Sequence, residues 1–378
     1  MSAARVFSVS SLALAVVMLA IEGTWRVGLP HNPVFLCTVV FIMTGLGIGL
    51  CRDIRNLRSK EGLRLAKVGG AVCHLGFLIT LAGGFFGALC FEQGKVMLVK
   101  GESGIEHGVD PSVSGLPFGI SLEEFKVEYY EDGVSPKQYT SEILIDGERK
   151  SVSVNSPARH KGYFFYQSDY DRSSGDISVL SYVKDPLLYV VLFGMLLLAV
   201  GSLMSLAALW KPSRFLPVVL ALAAVFTVVS LWRINFGILA PALRSGWFIP
   251  HIVCYMIAYS CVVLSLVCGA VSLVKGRPGL ALSRRLLSTS SSLLVLGMLC
   301  GAVWAKFAWG DYWTWDAKEC WAGATWLLTL LTLHIPVGST KRRILLFVLL
   351  VALCFAAMQT TWLGVNHLPA AQYSLHTY

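Results

Sequence analysis

The sequence predicts an all-α polytopic membrane protein with about nine transmembrane helices and one small extracytoplasmic β domain. Apolar residues make up 55% of the 378 residues and charged residues only 14%, against roughly 25% charged in ordinary globular domains. The apolar residues occur in blocks of about 20, the length that crosses roughly 30 Å of hydrocarbon. One long polar segment, about 94–184, interrupts these blocks. A large soluble core, a disordered chain and a disulfide scaffold are therefore excluded.

Nine apolar blocks are the predicted spans. The first follows Arg5 in the manner of a signal peptide, but no convincing cleavage site comes after it, so we expect a retained helix. The approximate bounds are 7–28, 33–51, 67–92, 186–210, 215–233, 248–274, 286–305, 320–337 and 344–362. The ten cysteines lie mostly in these blocks and form no Cys-x-x-Cys motif. The chain is therefore not itself a cytochrome c.

Lysine and arginine are distributed unevenly between the two sets of loops. One alternating set holds 16 of them, whereas the opposite short loops hold five. Because short cytoplasmic loops are enriched in Lys and Arg, the N-terminus is predicted to be cytoplasmic. The segments predicted to face outward are 94–184, 234–247, 306–319 and 363–378. The net charge of +9 thus reflects membrane topology and not a nucleic-acid surface.

The polar segment 94–184 has the pattern of a β domain. Alternating runs at 126–130, 141–145 and 151–154 predict strands. Asp132-Gly133 and Asp146-Gly147 supply turn residues between them. We expect a small β-sandwich or a curled sheet between the third and fourth spans.

The loop 306–326 has an unusual density of tryptophan. It reads Trp309-Gly310-Asp311-Tyr312-Trp313-Thr314-Trp315-Asp316-Ala317-Lys318-Glu319, with Trp321 and Trp326 following. Each tryptophan taken singly fits an interfacial aromatic belt. Three within seven residues, interleaved with small and acidic residues, are hard to explain in that way. Such a surface suits a planar, mostly apolar ligand with an ionic edge, and haem is the obvious candidate.

The motif Trp-Gly-x-Tyr-Trp-x-Trp-Asp-x-Lys-Glu resembles the tryptophan-rich signature of the haem-handling proteins of cytochrome c maturation, in particular the CcsA branch. The tail from Gly364 to Tyr378 is similar to that branch's Gly-Val-Asn…Leu-His-Ser-Tyr segment. Four motifs of the first half resemble the CcsB (ResB) subunit: Leu116-Pro117-Phe118, Val154-Asn155-Ser156-Pro157, Tyr166-Gln167-Ser168-Asp169-Tyr170 and Asp185-Pro186. The whole chain resembles a fused CcsBA cytochrome c synthase of the system II pathway.

This resemblance implies a division of the chain into four parts. Residues 1–92 would be CcsB-like helices one to three, and 93–185 the extracytoplasmic β-rich domain. Residues 186–214 would be the fourth CcsB-like helix, and 215–378 the CcsA-like haem-handling domain. The family's tail is normally followed by a final span, so we expect either that the chain is truncated after Tyr378 or that a separate membrane subunit supplies the missing helix.

Two histidines lie at matching depth within predicted spans. His74 follows Lys67 by seven residues, and His334 precedes Lys341 by seven. At 1.5 Å per residue, both lie roughly 10 Å inside the cytoplasmic boundary, as two axial ligands of one haem iron require. The alternative is two separate histidines, each hydrogen-bonded to a backbone carbonyl or a serine. The family's transmembrane histidine pair maps onto these two positions, which favours the shared-ligand interpretation.

The resemblance also implies an outer haem site. Its iron ligands would be His251 and His376, with His367 as the rival of His376 and His31 as a more distant one. Trp309, Trp313, Trp315 and Asp316 would take part in the reaction, with Asp316 orienting the loop. The further haem contacts implied are Gly310, Tyr312 and Trp321.

In such a synthase, reduced haem b enters from the cytoplasmic leaflet, pauses between His74 and His334, and reaches the tryptophan loop. There it is joined by thioethers to the Cys-x-x-Cys-His segment of an apocytochrome c. The implied partners are apocytochrome c, thioredoxin-like thiol-reduction proteins and membrane lipid, with no nucleic acid. The implied location is the bacterial cytoplasmic membrane, with an extracytoplasmic active site.

Three alternatives share parts of this pattern. A haem exporter or haem chaperone without ligase activity would have every feature above. A quinone-linked cytochrome b typically places two histidines on one helix, whereas each predicted span here holds at most one. A purely structural assembly subunit would bind no haem.

Overall fold

The structure, a computed structural model, describes eight stretches of the chain. They are residues 3–57, 64–100, 116–172, 176–209, 216–232, 236–275, 278–336 and 340–373. These stretches contain nine α-helices, and each overlaps one predicted span. Their bounds are α1 Ala3–Trp25, α2 Pro33–Leu57, α3 Arg64–Gly87, α4 Leu188–Leu209, α5 Leu216–Leu231, α6 Phe248–Lys275, α7 Pro278–Trp309, α8 Ala317–His334 and α9 Lys341–Gln359. The predicted fold class is confirmed.

Seven helical segments of the described part are long and apolar enough to cross a membrane. The remaining two are α5, which has 16 residues, and α8, which has 18 residues and carries charged side chains in its first turn. The sequence underestimates two other helices, since α2 continues to Leu57 and α7 begins at Pro278. In both, polar helical turns extend beyond the apolar stretch by which a span is detected.

The segment between α3 and α4 folds as a small β-sandwich, which confirms the prediction. Its strands are β1 Glu92–Val99, β2 Ile120–Tyr129, β3 Pro136–Ile145, β4 Glu148–Ser153, β5 Ala158–His160, β6 Tyr163–Tyr170 and β7 Ile177–Lys184. One antiparallel sheet has the order β1-β7-β6-β5 and the other β2-β3-β4. Alternate side chains of both sheets point into a shared core that includes Leu98, Ile143 and Phe165. Asp146 and Gly147 both adopt positive φ, as a two-residue hairpin turn requires.

The β domain contacts the segment that precedes α6. The Asn155 side-chain amide donates to the carbonyl oxygen of Pro241 at 3.0 Å. The Tyr130 hydroxyl donates to the carbonyl oxygen of Leu239 at 2.9 Å. Segments 94–184 and 234–247 are both predicted to face outward, so their described parts meet at the same end of the helix bundle.

Helices α3 and α4 approach each other through glycine. A Cβ atom on Gly76 would clash with the backbone nitrogen of Leu198, and one on Gly194 would lie 2.6 Å from the backbone nitrogen of Thr80. Close approach at small residues is typical of membrane helices, which gain little from hydrophobic burial against each other. This contact fixes α3, and with it His74, against the rest of the bundle.

Candidate functional site

His74 of α3 and His334 of α8 line one cavity of about 360 Å³ inside the bundle. This volume falls within the roughly 300–1,000 Å³ range of small-molecule sites. Apolar side chains that line it include Leu12, Phe77 and Trp326. Helices α1, α2, α3, α4, α7 and α8 all contribute to the wall. Two imidazoles, a mainly apolar wall and this volume fit the chemistry of haem.

The ring of His74 is held by one turn of α2. Its Nδ1 lies 2.7 Å from Oδ2 of Asp53, and the two side chains are 24% and 18% exposed. A Cβ atom on Gly49 would lie 3.3, 3.4 and 3.6 Å from Cε1, Nε2 and Nδ1 of the ring. Because these three distances are nearly equal, the flat face of the ring rests on the glycine. Asp53 and Gly49, four residues apart on α2, thus set the position of the imidazole.

His334 and His251 are oriented by backbone carbonyls. Nδ1 of His334 lies 2.8 Å from the carbonyl oxygen of Leu330, one turn earlier in α8. Nδ1 of His251 lies 2.8 Å from the carbonyl oxygen of Gly297, which belongs to α7. A carbonyl oxygen can only accept, so in both neutral rings Nδ1 carries the proton and Nε2 the lone pair. Asp53 imposes the same tautomer on His74, and metal-binding histidines are usually held in this manner.

His251 lies at the N-terminal end of α6, just after the segment that contacts the β domain, and its ring packs against α7. Its ring packs edge-to-face on Tyr255, with centroids 5.0 Å apart, and on Trp304, 6.2 Å apart. A Cβ atom on Gly301 would lie 2.8 Å from two atoms of the ring. Trp304 in turn lies 6.5 Å from Trp309. The structure therefore brings His251 next to the start of the tryptophan-rich loop.

The loop is pressed against the β domain at Gly310. This residue has φ +95°, and a Cβ atom there would lie 2.9 Å from the ring of Tyr166 and 2.9 Å from the side chain of Val183. Both the backbone conformation and the close approach exclude a larger residue. The loop that links α7 to α8 is therefore positioned by strands β6 and β7.

Asp316 ends the loop as the N-cap of α8. Its Oδ1 accepts a hydrogen bond from the backbone nitrogen of Glu319 at 2.8 Å. Oε2 of Glu319 accepts one from the backbone nitrogen of Thr314 at 2.6 Å. This arrangement is a variant of the capping box: the N-cap side chain accepts from residue N3, while the N3 side chain accepts from Thr314, two residues before the N-cap. Asp316 is thus engaged in holding the loop, and its predicted part in the reaction stays a prediction.

Two of the loop tryptophans, together with Trp321, face the first two helices. Trp315, which has φ +61°, packs edge-to-face on Phe35 of α2, with ring centroids 5.3 Å apart. Trp321 lies against Gly23 of α1, where a Cβ atom would be 2.7 Å from Cδ1 of the indole. Trp313 lies 6.3 Å from Trp315. The structure therefore separates these three tryptophans from Trp309, which belongs to the His251 side.

Two indole donors in this region are buried. The Nε1 atoms of Trp313 and Trp321 have no hydrogen-bond partner within the part of the chain that the structure describes. Buried polar groups are hydrogen-bonded in the great majority of cases. These two donors are therefore suited to an acceptor supplied from outside the chain.

A buried polar cluster lies between the loop and the β domain. Nζ of Lys306 is 3.0 Å from Oδ2 of Asp185, and the two side chains are 6% and 7% exposed. The same ammonium lies 4.6 Å from the ring centroid of Tyr312. Burial raises the pKa of Asp311 above its usual range; Lys306 opposes this and Asp185 reinforces it. Burial likewise raises the pKa of Tyr166.

The choice of a second outer histidine stays a prediction. His376 lies outside the described residues. His367 is exposed at the end of the short 3-10 helix Val365–His367, and His31 is exposed in the turn Leu29–His31. Val365 and Ala370 of the tail pack on Ala317 of α8. The tail thus approaches the tryptophan-rich loop up to the last residues described.

Sequence reasoning missed two residues of these sites. Asp53 lies among Arg52, Arg55 and Arg58, and the basic segment was expected to be a loop. The feature that sets Asp53 apart in the sequence is that it is the only acidic residue between Cys51 and Lys60. Trp304 lies within a predicted span, five residues before Trp309, and has no signal beyond that spacing.

Comparison with known families explains both halves of this architecture. Residues 59–184 match the ResB-like family, and residues 187–370 match the cytochrome c assembly protein family. The fold and these matches define a multi-pass membrane protein of cytochrome c biogenesis. The chain combines a ResB-like domain and a cytochrome c assembly domain in one polypeptide, consistent with a fused CcsBA system II protein. The predicted division at residues 214 and 215 stays a prediction.

Individual relatives match shorter segments of the chain. Cytochrome c biogenesis protein CcsA of Chlamydomonas reinhardtii is 36% identical over 110 residues, 25% of this chain and 31% of that protein. The CcsA of Synechococcus sp. (strain JA-2-3B'a(2-13)) is 44% identical over 98 residues, 25% and 26% of the two chains. That of Hordeum vulgare is 54% identical over 52 residues, 14% and 16%. These matched segments span less than a third of each relative's length.

Proposed function

We propose that this protein is a cytochrome c synthase that moves haem b across the membrane and joins it to the Cys-x-x-Cys-His segment of an apocytochrome c. The observation that carries the proposal is the cavity shared by His74 and His334. His74 lies within the part of the chain that matches the ResB-like family, and His334 lies within the part that matches the cytochrome c assembly protein family. Neither part alone supplies both imidazoles.

The cavity is proposed as a resting place for haem during its passage. The apolar wall would cover the porphyrin face, and one imidazole from each side would ligate the iron. With Nδ1 hydrogen-bonded in both rings, the lone pair of each Nε2 is the group available to the metal. Haem is the substrate here, taken up in its reduced state.

The outer site is proposed to consist of His251 and His376 as iron ligands and of the tryptophan-rich loop. The position of His251 beside Trp304 and Trp309 supports this assignment. The buried indole donors of Trp313 and Trp321 suit carboxylate acceptors, which the two haem propionates would supply. Gly310 and Tyr312 would lie along the ligand, with Trp315 completing the wall.

The reaction itself is an addition. Each cysteine sulfur bonds to one vinyl carbon while a hydrogen is added to the other, so the double bond is consumed and no electrons are gained or lost overall. The protein's contribution is proximity, since holding thiols against vinyl groups can correspond to effective molarities of about 10⁵–10⁸ M. Asp316 acts by positioning, because its carboxylate caps α8.

The proposed location is the bacterial cytoplasmic membrane, with a cytoplasmic N-terminus. The distribution of Lys and Arg supports this orientation, as does the meeting of the β domain and segment 236–247 at one end of the bundle. Apocytochrome c would approach at that end, with thioredoxin-like proteins keeping its thiols reduced. Lipid would surround the helices, and no nucleic acid is a partner.

The second candidate is a haem exporter or haem chaperone without ligase activity. Two features favour it. The histidines and tryptophans are sufficient to bind haem without any ligase chemistry, and the carboxylate of Asp316 already serves as the N-cap of α8. Co-expression with an apocytochrome c separates the two functions. A synthase yields a haem stain on the cytochrome that survives denaturing electrophoresis and disappears when both substrate cysteines become alanine. Bound haem that acid acetone extracts completely would favour export alone.

A further inference from the structure

We propose that Asp53 is a positioning residue for haem: through its hydrogen bond to Nδ1 it makes His74 the stronger of the two imidazole ligands in the cavity. This inference rests on the proposed function, since it concerns the ligation of haem by His74 and His334. Asp53 itself does not line the cavity.

The two histidines are held by different acceptors. His74 donates to a carboxylate at 2.7 Å, whereas His334 donates to a neutral backbone carbonyl at 2.8 Å. A hydrogen bond to an ionised acceptor is roughly twice as strong as one between neutral groups. It also draws Nδ1–H toward the acceptor and raises the electron density on Nε2, which raises the basicity of the ligand.

The surroundings of the pair allow this effect to reach the metal. Asp53 and His74 are both less than a quarter exposed, so water screens the interaction only in part. The ring also lies flat on Gly49, which fixes its plane relative to α2. If the two ligands differ in strength, the iron would be held more tightly by His74 than by His334. When haem leaves for the outer site, the bond to His334 would break first.

The test is a titration of purified, haem-free full-length protein with haemin, all in a His251→Ala background so that the outer site does not contribute. Asp53→Asn removes the charge at nearly constant volume. Loss of an outer-sphere partner typically costs about 10–100-fold in metal affinity, and that decrease is expected here. The midpoint potential of the bound haem should shift upward, because a less basic ligand stabilises ferric iron less.

A double-mutant cycle separates ligand positioning from damage to the fold. If Asp53 acts through His74, Asp53→Asn should have no further effect on haem affinity once His74 is alanine. Thr44→Ala is the matched control on α2, since Thr44 is not among the residues that line the cavity and its hydroxyl donates to the carbonyl oxygen of Val40 within the same helix. This control should leave affinity and potential unchanged.

Three outcomes would each overturn a claim. If His74→Ala binds haem as the parent does, the proposed function of the cavity fails. If His74→Ala loses haem but Asp53→Asn keeps the parent's affinity and potential, only the role of Asp53 fails. An equal loss from Asp53→Asn with and without His74 would show a structural role and would also overturn it.

Discussion

Lys306 and Asp185 form a buried ion pair, with Nζ and Oδ2 3.0 Å apart, between the helix that leads into the tryptophan-rich loop and the end of the β domain. Asp185 lies between the two family matches, which end at residue 184 and begin at residue 187. The pair therefore fixes the loop relative to the ResB-like part of the chain.

Lys306→Met should lower the free energy of unfolding by about 3–5 kcal/mol, because it leaves the carboxylate of Asp185 buried without its ammonium partner. Unfolding by SDS in mixed micelles measures the change. Lys126→Met is the control, since Lys126 pairs with Glu124 on the surface and should change stability by less than about 1 kcal/mol. Equal effects of the two substitutions would contradict the role of the buried pair.

Asp311→Asn should change the pH dependence of stability. Burial raises the pKa of Asp311, so the folded state binds this proton more tightly than the unfolded state does. The Asp311 carboxyl therefore contributes to folding stability at pH values below the usual carboxyl pKa. This contribution is lost as the pH rises through the raised pKa of the folded state. Asp311→Asn should therefore gain stability relative to wild type as pH increases across that window. Thermal unfolding at a series of pH values measures it, and a difference independent of pH would contradict the prediction.

Gly49→Ala should weaken haem binding in the cavity. The added methyl would lie 3.3 Å from Cε1 of the His74 ring, which is a tight contact, and at ordinary contact distances of 3.4 and 3.6 Å from Nε2 and Nδ1, so the ring must shift by a few tenths of an ångström. A decrease of roughly 10-fold in haem affinity is expected, as for other disturbances of ligand orientation. Gly47→Ala is the matched control on the same helix, since nothing lies within 4 Å of a Cβ there. Equal affinities for the two variants would show that the ring does not need this contact.

Asp316→Ala should destabilise the start of α8. Loss of an N-cap acceptor costs about 0.5–2 kcal/mol, and the tryptophan-rich loop should become more mobile. Tryptophan fluorescence quenching by acrylamide reports the loop, and SDS unfolding reports the stability. Asp316→Ser retains a capping oxygen without the charge and should behave nearly as wild type. If Asp316→Ser loses as much stability as Asp316→Ala, the carboxylate has a role beyond capping α8.

The fold could be predicted largely from the sequence, because apolar blocks of span length and alternating strands are strong local signals. All nine helices in the described part of the chain overlap predicted spans, and the turn at Asp146-Gly147 lies where expected. Helix ends such as Leu57 could not be placed, since the polar turns beyond a span have no apolar signal. Sidedness of the loops was predicted from charge alone and stays a prediction.

The site could be predicted only in part. The sequence predicts that His74 and His334 lie at the same distance from the cytoplasmic boundary, and in the structure both line one cavity. The role of Asp53 depends on the packing of α2 against α3, which no spacing in the sequence reveals. The separation of Trp309 from Trp313 and Trp315 likewise follows from contacts with α2, α6 and α7, and not from the motif.

The most direct test of a shared haem is the absorption spectrum of reduced haem bound to purified protein in a His251→Ala background. We compare the parent with His74→Ala and His334→Ala. If both imidazoles ligate one iron, the parent shows a six-coordinate low-spin spectrum and either substitution converts the same haem to a high-spin form or releases it. A low-spin spectrum that survives either substitution would contradict the shared cavity as a haem site.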